Sequence, residues 1–406
     1  MNKLSQPNTK KGTSEIEFIA LMAFLMSNVA LCIDAVLPAL TDIGVDLNVS
    51  DSNQLQFVVT MIFLGLGLGE LFFGTLSDSF GRKPIVYIGV IIFMLASTLI
   101  VFAPNLEIFL LGRVLQGIGL SASRSVSIAI IRDTYTGDRM ARIMSFIMTI
   151  FILVPMLAPL LGQVILKAYN WQAIFYFQLF FISITITWFW LRQKETLIDS
   201  KRIPFSKSLF INGLKEYFRY KKTVVYMVVS GMIQGTFVAY LGGSPKIFQI
   251  QYGMVDEFVY IFGGLALAMG FSSLLNGILV VKYGMLKLVK TSLFCFVLSA
   301  LTYILFFGFD ANPTVAVLIA FLFIQFLSTG LVFGNLSALA MQPIGHIAGV
   351  GAAIYSFISM SLAVIVATLV GLFIENTAVP LFVGFLLVGI FSIVLIRFIS
   401  KENALE

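Results

Sequence analysis

The stretch GTLSDSFGRKP, residues 74–84, is a short polar segment inside a long apolar region of the sequence. It combines one acid and two bases, Asp78, Arg82 and Lys83, with a glycine and a proline. Apolar runs long enough to cross a bilayer flank it on both sides. Because glycine permits a tight turn and proline suits the first turn of a helix, the stretch predicts a short loop between two membrane-spanning helices.

The composition supports a membrane protein. Of the 406 residues, 59% are hydrophobic and 11% are charged, whereas a soluble domain carries about 25% charged residues. Apolar runs of about 20 residues, the length needed to cross ~30 Å of hydrocarbon as a helix, recur twelve times along the chain. Backbone groups inside lipid must be satisfied within the segment, which requires helices. We therefore predict an all-α polytopic membrane protein with twelve transmembrane helices, the first over residues 16–40.

The distribution of Lys and Arg predicts the orientation of the chain. Most of the 26 basic residues fall in or beside the loops that share a side with the N-terminus. In multi-pass proteins that side is cytoplasmic. We expect a bacterial-type cytoplasmic (inner) membrane protein with both termini in the cytoplasm. The same asymmetry explains the net charge of +6 without a nucleic-acid partner.

The predicted helices fall into two sets of six. A Gly-x6-Gly pattern, Gly74 and Gly81, ends the second helix and recurs as Gly277 and Gly284 at the end of the eighth. Parallel six-helix halves that bind substrate between them near the midplane are typical of one large class of secondary transporters. We therefore predict two pseudo-symmetric bundles with a long connection between them: an N-terminal bundle (1–191), a cytoplasmic linker (192–222) and a C-terminal bundle (223–406).

Residues typical of catalytic and metal sites are scarce. One histidine, His346, and two cysteines, Cys32 and Cys295, give neither a disulfide framework nor a Cys/His metal site. No GxxxxGK[ST] motif occurs, so ATP-driven pumping is not supported. We predict that the protein is not an enzyme and needs no cofactor and no metal. His346, at the inner mouth of the eleventh helix, is interpreted as structural, with a proton relay as the alternative.

Four charges lie well inside predicted helices: Asp34, Glu70, Arg113 and Arg124. Such a charge costs at least ~2.5–3.5 kcal/mol at the bilayer centre, so it needs a partner or a function. Their depths predict an outer pair of Asp34 with Arg113 and an inner pair of Glu70 with Arg124. In the functional interpretation these residues couple transport to protons, with Asp34 as the carrier. In the alternative they are static ion pairs that fix helix packing.

Three motifs resemble those of the major facilitator superfamily. GTLSDSFGRK fits its G-x-x-x-D-x-x-G-R-K signature, in the expected loop between helices two and three. LGRVLQGIG, residues 111–119, resembles the motif of helix four, with Arg113 as its arginine. PMLAPLLGQ, residues 155–163, resembles the antiporter motif of helix five. The resemblance implies the twelve-helix facilitator fold and transport by alternating access.

Further segments are similar to the bicyclomycin-resistance/CflA group of drug:proton antiporters. They are CIDAVLPAL in helix one, SRSVSIAIIRD in helix four, GGSP ending helix seven and GHIAGVGAAI opening helix eleven. Two departures occur: Ala158-Pro159 and Gly162-Gln163 replace Gly-Pro and Gly-Gly of the antiporter motif. A third is Glu70, at a place where this group usually has Gln.

The resemblance implies roles for two sets of residues. The gating set would close the inner side in the outward-open state, with Asp78 and Arg82 as the clamp. In the alternative without a gating role, the loop only sets the topology of the chain. The antiporter set would form a close-packed, leak-tight interface; the alternative is a helix merely kinked by proline. The gating set is Gly74, Asp78, Gly81, Arg82 and Lys83, and the antiporter set is Pro155, Pro159 and Gly162.

The predicted substrate is an amphipathic small molecule. The C-terminal half offers aromatic and amide side chains rather than intramembrane charges, and aromatic faces also accommodate cations. The cavity candidates are Tyr226, Gln234, Tyr240, Asn335 and Tyr355.

The leading hypothesis is a monomeric proton-coupled multidrug or small-molecule exporter in the lipid bilayer. Alternatives are a dedicated exporter of an endogenous metabolite such as a siderophore and, less favoured, a proton-coupled nutrient symporter. A membrane sensor or scaffold is disfavoured because it would leave the intramembrane charges without a use.

Overall fold

The structure, a computed structural model, describes residues 14–203, 207–308 and 312–402. Its regular elements within these ranges are helices joined by short turns. The helices are α1 Glu15–Asp34, α2 Leu40–Asp46, α3 Phe57–Phe80, α4 Arg82–Val101, α5 Leu106–Thr134, α6 Gly137–Ala168, α7 Trp171–Arg192, α8 Lys207–Arg219, α9 Lys221–Pro245, α10 Phe258–Tyr283, α11 Met285–Phe307, α12 Val315–Met341, α13 Ala348–Gly371 and α14 Val379–Glu402.

The described residues contain twelve helical spans long and apolar enough to cross a membrane. The predicted all-α, twelve-helix class is confirmed. The first span, Glu15–Asp46, is longer than the predicted 16–40 because α1 and α2 join through a short 3-10 turn. The amphipathic α8 lies in the connection between the sixth and seventh spans and is not itself a span.

The first span is interrupted inside the membrane. Regular helix α1 ends at Asp34, and the 3-10 turn Leu37–Ala39, which contains Pro38, precedes α2. Proline cannot donate a backbone hydrogen bond, so it tends to stop a regular helix. Asp34 therefore lies at the end of a helix segment in the middle of a span, where backbone carbonyl groups need partners from elsewhere.

Helices α1–α7 pack mainly on one another, as do helices α9–α14. Close packing in the first group depends on small residues. A Cβ atom added to Gly117 of α5 would lie 2.8 Å from the backbone nitrogen of Leu66 in α3. Glycine in LGRVLQGIG thus permits backbone contact between the helices that carry Glu70 and Arg124.

Contacts between the two groups run mainly through α3 with α13 and α6 with α10. We call the end of the molecule that carries the Gly81 turn the motif face, and the other end the opposite face. On the opposite face, Lys246 Nζ donates to Asn53 Oδ1 at 2.7 Å. Lys167 Nζ pairs there with Asp256 at 2.5 Å. These cross-group contacts close the opposite face.

Candidate substrate cavity

A cavity of about 340 Å³ lies between the two helix groups. Its wall is largely apolar and rich in aromatic residues and methionines, with few polar groups. The aromatic residues in the wall are Phe63, Phe151, Phe237, Tyr240, Phe262 and Phe326, and the methionines are Met26, Met148, Met269 and Met360. Flexible, polarisable methionines adapt to different shapes. The wall therefore suits apolar organic molecules of varied outline.

One side of the cavity is an aromatic cluster around Tyr240. The Tyr240 ring stacks on Phe262 with centroids 6.0 Å apart and meets Phe326 edge-on at 4.6 Å. The Tyr240 hydroxyl is buried and has no hydrogen-bond partner among the described residues. A buried hydroxyl without a partner is costly, so this donor is available to a polar group that comes within reach.

Asp34 is the one acidic side chain in the wall among the described residues that line the cavity. It is buried, and its carboxyl receives no hydrogen bond and no ion pair from the part of the chain that the structure describes. A carboxyl without a fixed protein partner can exchange a proton for a ligand. This geometry fits the expected carrier, although its role stays a prediction.

The predicted ion pair between Asp34 and Arg113 is wrong for this structure. Arg113 is fully buried and donates instead to the carbonyl oxygens of Val58, at 2.8 Å, and Cys32, at 3.1 Å. The depth argument gave the heights of the two side chains but not their directions. Two residues span about 200° around a helix, so Asp34 faces the cavity while Cys32 faces Arg113.

Arg113 belongs to a polar network behind the cavity. It donates to Gln116 Oε1 at 2.9 Å, and Gln116 Nε2 donates to Ser97 Oγ at 2.8 Å. The network ties α1, α3, α4 and α5 together and caps the interrupted end of α1. Sequence reasoning missed Gln116, although it lies three residues after Arg113, one helical turn away, within the same motif.

The inner pair forms. Arg124 Nη1 donates to Glu70 Oε1 at 2.7 Å. Glu70 is buried, whereas 36% of the Arg124 side chain is exposed. Arg124 lines both the cavity of about 340 Å³ between the helix groups, which we call the main cavity, and a second pocket of about 170 Å³ at the motif face. The pair therefore stands at the junction between the cavity and the motif face.

Arg82 is the centre of the gating set. It is buried, pairs with Asp78 at 2.5 Å and with Asp133 at 2.9 Å, and donates to Ser77 Oγ at 2.8 Å. Asp133 lies in the last turn of α5, so Arg82 joins three helix ends. Sequence reasoning did not assign Asp133 this role, although it closes the quoted segment SRSVSIAIIRD.

The carboxylate of Asp78 lies beside the start of α13, across the boundary between the groups. A Cβ added to Gly349 would be 3.8 Å from Asp78 Oδ2. A negative charge near the first turn of a helix is stabilised by the helix dipole. Asp78 thus approaches the second helix group at the motif face, as a clamp residue would.

The turn at Gly81 has a backbone φ of 103°, which favours glycine. Glu195, from the segment after α7, accepts hydrogen bonds from the backbone nitrogens of Arg82 and Lys83, both at 3.0 Å. Partial burial works against the Glu195 charge, but these and two further backbone hydrogen bonds outweigh it and lower the pKa of Glu195. Sequence reasoning missed this acid as the cap of α4.

The antiporter set lies along α6, which continues through both prolines. Pro155 lines the cavity, Pro159 is buried one turn beyond, and Gly162 packs on the interrupted segment after α1. A Cβ on Gly162 would lie 2.8 Å from the carbonyl carbon of Ala35. The expected close-packed interface is therefore seen between α6 and the first span.

Of the five substrate candidates, Gln234 and Tyr240 line the cavity. Tyr226, Asn335 and Tyr355 do not, which corrects the prediction. The Tyr355 hydroxyl donates to Ser230 Oγ and the Asn335 amide to Asn276 Oδ1, both at 2.6 Å. Residue type alone cannot distinguish a polar side chain that binds a neighbouring helix from one that faces a cavity.

His346 lies outside the cavity. Its Nε2 is 3.7 Å from Glu216 Oε1 of α8, and its side chain is more than half exposed. The favoured structural interpretation agrees with this position at a helix junction.

In the part of the chain that the structure describes, twelve helices that can span a membrane surround a central cavity, as in a multi-pass membrane transporter. The chain belongs to the Major Facilitator Superfamily, whose family model matches residues 18–368. This membership confirms what the motifs indicated.

Known proteins of this superfamily resemble the chain along most of its length. It is 32% identical over 369 residues to the uncharacterized MFS-type transporter YdgK of Bacillus subtilis, covering 89% of this chain and 90% of that protein. It is 28% identical over 388 residues to a bicyclomycin resistance protein homolog of Haemophilus influenzae, covering 95% and 96%.

A region of 144 residues is 42% identical to the multidrug resistance protein MdtL of Salmonella paratyphi C, covering 36% of each chain. These relatives support the drug:proton antiporter group. A solved D-xylose-proton symporter shares the fold, with a TM-score of 0.71 and 15% identity over 93% of this chain and 97% of that one.

Proposed function

We propose that the protein is a proton-coupled exporter of amphipathic small molecules, drugs among them, that works by alternating access. The observation that carries the proposal is the unpartnered Asp34 carboxyl in an aromatic and methionine-rich wall. The names of two relatives, a bicyclomycin resistance homolog and a multidrug resistance protein, support drugs as substrates.

In the proposed cycle, the N-terminal bundle (1–191) and the C-terminal bundle (223–406) rock about the cavity, joined by the linker (192–222). The motif face is cytoplasmic, as are both termini, in the inner membrane, and the protein acts as a monomer. The closed contacts on the opposite face correspond to a state that accepts substrate from the cytoplasm.

Asp34 exchanges its ligands during this cycle. Substrate enters from the motif face and binds beside the ionised carboxyl. After reorientation, a proton from outside binds Asp34 and releases the substrate. Arg113 has one guanidinium nitrogen, Nη2, without a hydrogen bond among the described residues, and it would receive the carboxyl in another state. The gating set closes the motif face when the opposite face opens.

The test is transport by purified protein in proteoliposomes with an imposed pH gradient. We expect the wild type to move the dye ethidium against its gradient and the Asp34→Asn variant to lose gradient-driven transport by more than about tenfold, because the amide cannot carry the proton. The control is Asp42→Asn, an exposed carboxyl in α2 that should leave transport unchanged.

Several outcomes decide against the proposal or its details. Full gradient-driven transport by Asp34→Asn would refute Asp34 as the carrier. Uptake of a sugar with the proton, instead of exchange, would identify a nutrient symporter. Transport of an iron-free siderophore but of no drug would identify a dedicated metabolite exporter.

A further inference from the structure

The two charged residues in the wall of the main cavity differ in whether they have an ion-pair partner. Among the described residues in its wall, Asp34 is the acid and Arg124 the base. Asp34 has no hydrogen bond or ion pair with the residues that the structure describes, whereas Arg124 is held by Glu70 at 2.7 Å. Within the described residues, the base in this wall has an ion-pair partner and the acid has none.

Glu70 neutralises Arg124 from outside the main cavity. Its buried carboxylate belongs to the wall of the second pocket, at the motif face, and not to the wall of the main cavity. The Glu70 contact is the only hydrogen bond of the Arg124 side chain with the residues that the structure describes. Removing the Glu70 charge would therefore leave an uncompensated guanidinium facing the substrate.

We propose that Glu70 sets the charge class of the substrate. By masking Arg124, it leaves the cavity with the single negative charge of Asp34, which selects lipophilic monocations over lipophilic anions of the same shape. The inference rests on the proposed function, because it assumes that this cavity binds the substrate. Like charges placed together in a desolvated site are strongly unfavourable, so one unmasked charge is enough to reverse a preference.

The aromatic cluster strengthens the same preference. Tyr240, Phe262 and Phe326 pack on one another in the same wall as Asp34. The face of an aromatic ring attracts a cation and repels an anion. A lipophilic monocation would thus find both its countercharge and its apolar contacts in one wall.

The experiment uses two probes of the same four-phenyl shape and opposite charge, tetraphenylphosphonium and tetraphenylborate. Their affinities for the full-length protein in detergent at pH 8 are measured by isothermal titration calorimetry. We expect the wild type to bind the cation at least about tenfold more tightly. Glu70→Gln should shift the cation-to-anion affinity ratio towards the anion by at least about tenfold, because an unpaired like charge in such a site is strongly unfavourable.

Further variants separate the charge effect from simple damage. Glu70→Gln combined with Arg124→Gln should regain the cation preference, because the unmasked guanidinium is gone. Arg124→Gln alone should move the ratio further towards the cation, so the inference stays testable even if Glu70→Gln does not fold. The matched control is Glu15→Gln, which breaks an exposed Arg–Glu pair of the same chemistry, with Arg139, and should not change the ratio.

An unchanged ratio in Glu70→Gln, a shift towards the anion in Arg124→Gln, or an anion preference in the wild type would overturn the inference. Transport of tetraphenylphosphonium driven by a pH gradient in proteoliposomes separates this failure from failure of the proposed function. If the wild type transports the cation but Glu70→Gln keeps the wild-type ratio, only the charge inference fails. If the wild type transports neither ethidium nor the cation, the proposed function fails as well.

Discussion

At the scale of single residues, Arg113 determines how the interrupted first span is held. It is fully buried and its guanidinium binds two backbone carbonyls and an amide oxygen rather than a carboxylate. Arg offers five donors in a fixed plane, so one side chain can satisfy acceptors from three directions. The network leaves Asp34, two residues beyond Cys32, free to face the cavity.

We expect Arg113→Met to destabilise the protein. Methionine fills a similar volume but donates no hydrogen bond, so the carbonyls of Val58 and Cys32 would lose this donor. Gln116 Oε1 would keep only the contact from the Cys32 thiol. Each buried acceptor left without a partner costs about 1–3 kcal/mol, and relief from burying the charge offsets part of the sum. Thermal unfolding of the purified protein in detergent should occur at a clearly lower temperature.

Arg139→Met serves as the matched control, since that side chain is 66% exposed and its ion pair with Glu15 lies at the surface. Exposed pairs contribute about 0–1 kcal/mol. Equal unfolding temperatures for Arg113→Met and the wild type would mean that the network does not hold the first span.

At the scale of elements, α6 combines proline with close packing. The helix passes through Pro155 and Pro159 without ending, and Gly162 brings it against the backbone of Ala35. Helix α6 also contacts α10 of the second group. The packing of α6 therefore affects both the position of the first span near Ala35 and part of the boundary between the two groups. Backbone contact at a glycine leaves no room for a side chain.

Replacing Gly162 with alanine should therefore destabilise the protein and reduce transport. The added methyl would overlap the Ala35 carbonyl, and overpacking of this kind costs about 1–3 kcal/mol. That cost exceeds the gain of up to about 1 kcal/mol that alanine brings to a helix interior. Unfolding temperature and ethidium transport are the two measurements.

Gly264 in α10 provides the comparison, because a Cβ added there meets nothing within 4 Å. Gly264→Ala should keep or slightly raise the unfolding temperature. If both alanine variants have the same unfolding temperature, the contact between Gly162 and Ala35 does not contribute to the stability of the protein.

At the scale of the whole molecule, contacts on the opposite face join the two helix groups while a pocket lies between them on the motif face. Alternating access requires the opposite-face contacts to break in each cycle. The hydrogen bond between Asn53 and Lys246 marks a place where the two helix groups can be cross-linked.

Cross-linking should stop transport at this place. We expect Asn53→Cys with Lys246→Cys, in a Cys295→Ser background that retains the buried Cys32, to be joined by a short bifunctional thiol reagent. A disulfide-containing reagent makes the link reversible, so ethidium transport should be lost on linking and recovered on reduction.

Glu15→Cys with Arg139→Cys gives the matched pair, because both positions belong to the first helix group. Linking them should leave transport intact, since no relative movement of the groups is blocked. Undiminished transport by the linked Asn53/Lys246 pair would contradict alternating access across this face.

The sequence by itself determined the twelve spans, the family and the residues that carry charge inside the membrane. Long apolar runs, the Gly81 turn and the Lys/Arg distribution are local features, so periodicity and composition reveal them. It also placed Glu70 and Arg124 at matching depth, because rise along a helix depends only on residue number.

The tertiary structure decided which side chains share a face. The rotation of α1 places Asp34 in the cavity wall and the Cys32 carbonyl beside Arg113. Packing among α9, α10, α12 and α13 keeps Tyr226, Asn335 and Tyr355 out of that wall. Partners such as Asp133, Gln116 and Glu195 come from another helix, from the next turn of the same helix or from the segment after α7. The depth of a residue in the membrane follows from its position in the sequence. The direction of its side chain depends on how each helix is rotated and interrupted, and packing against neighbouring helices sets both.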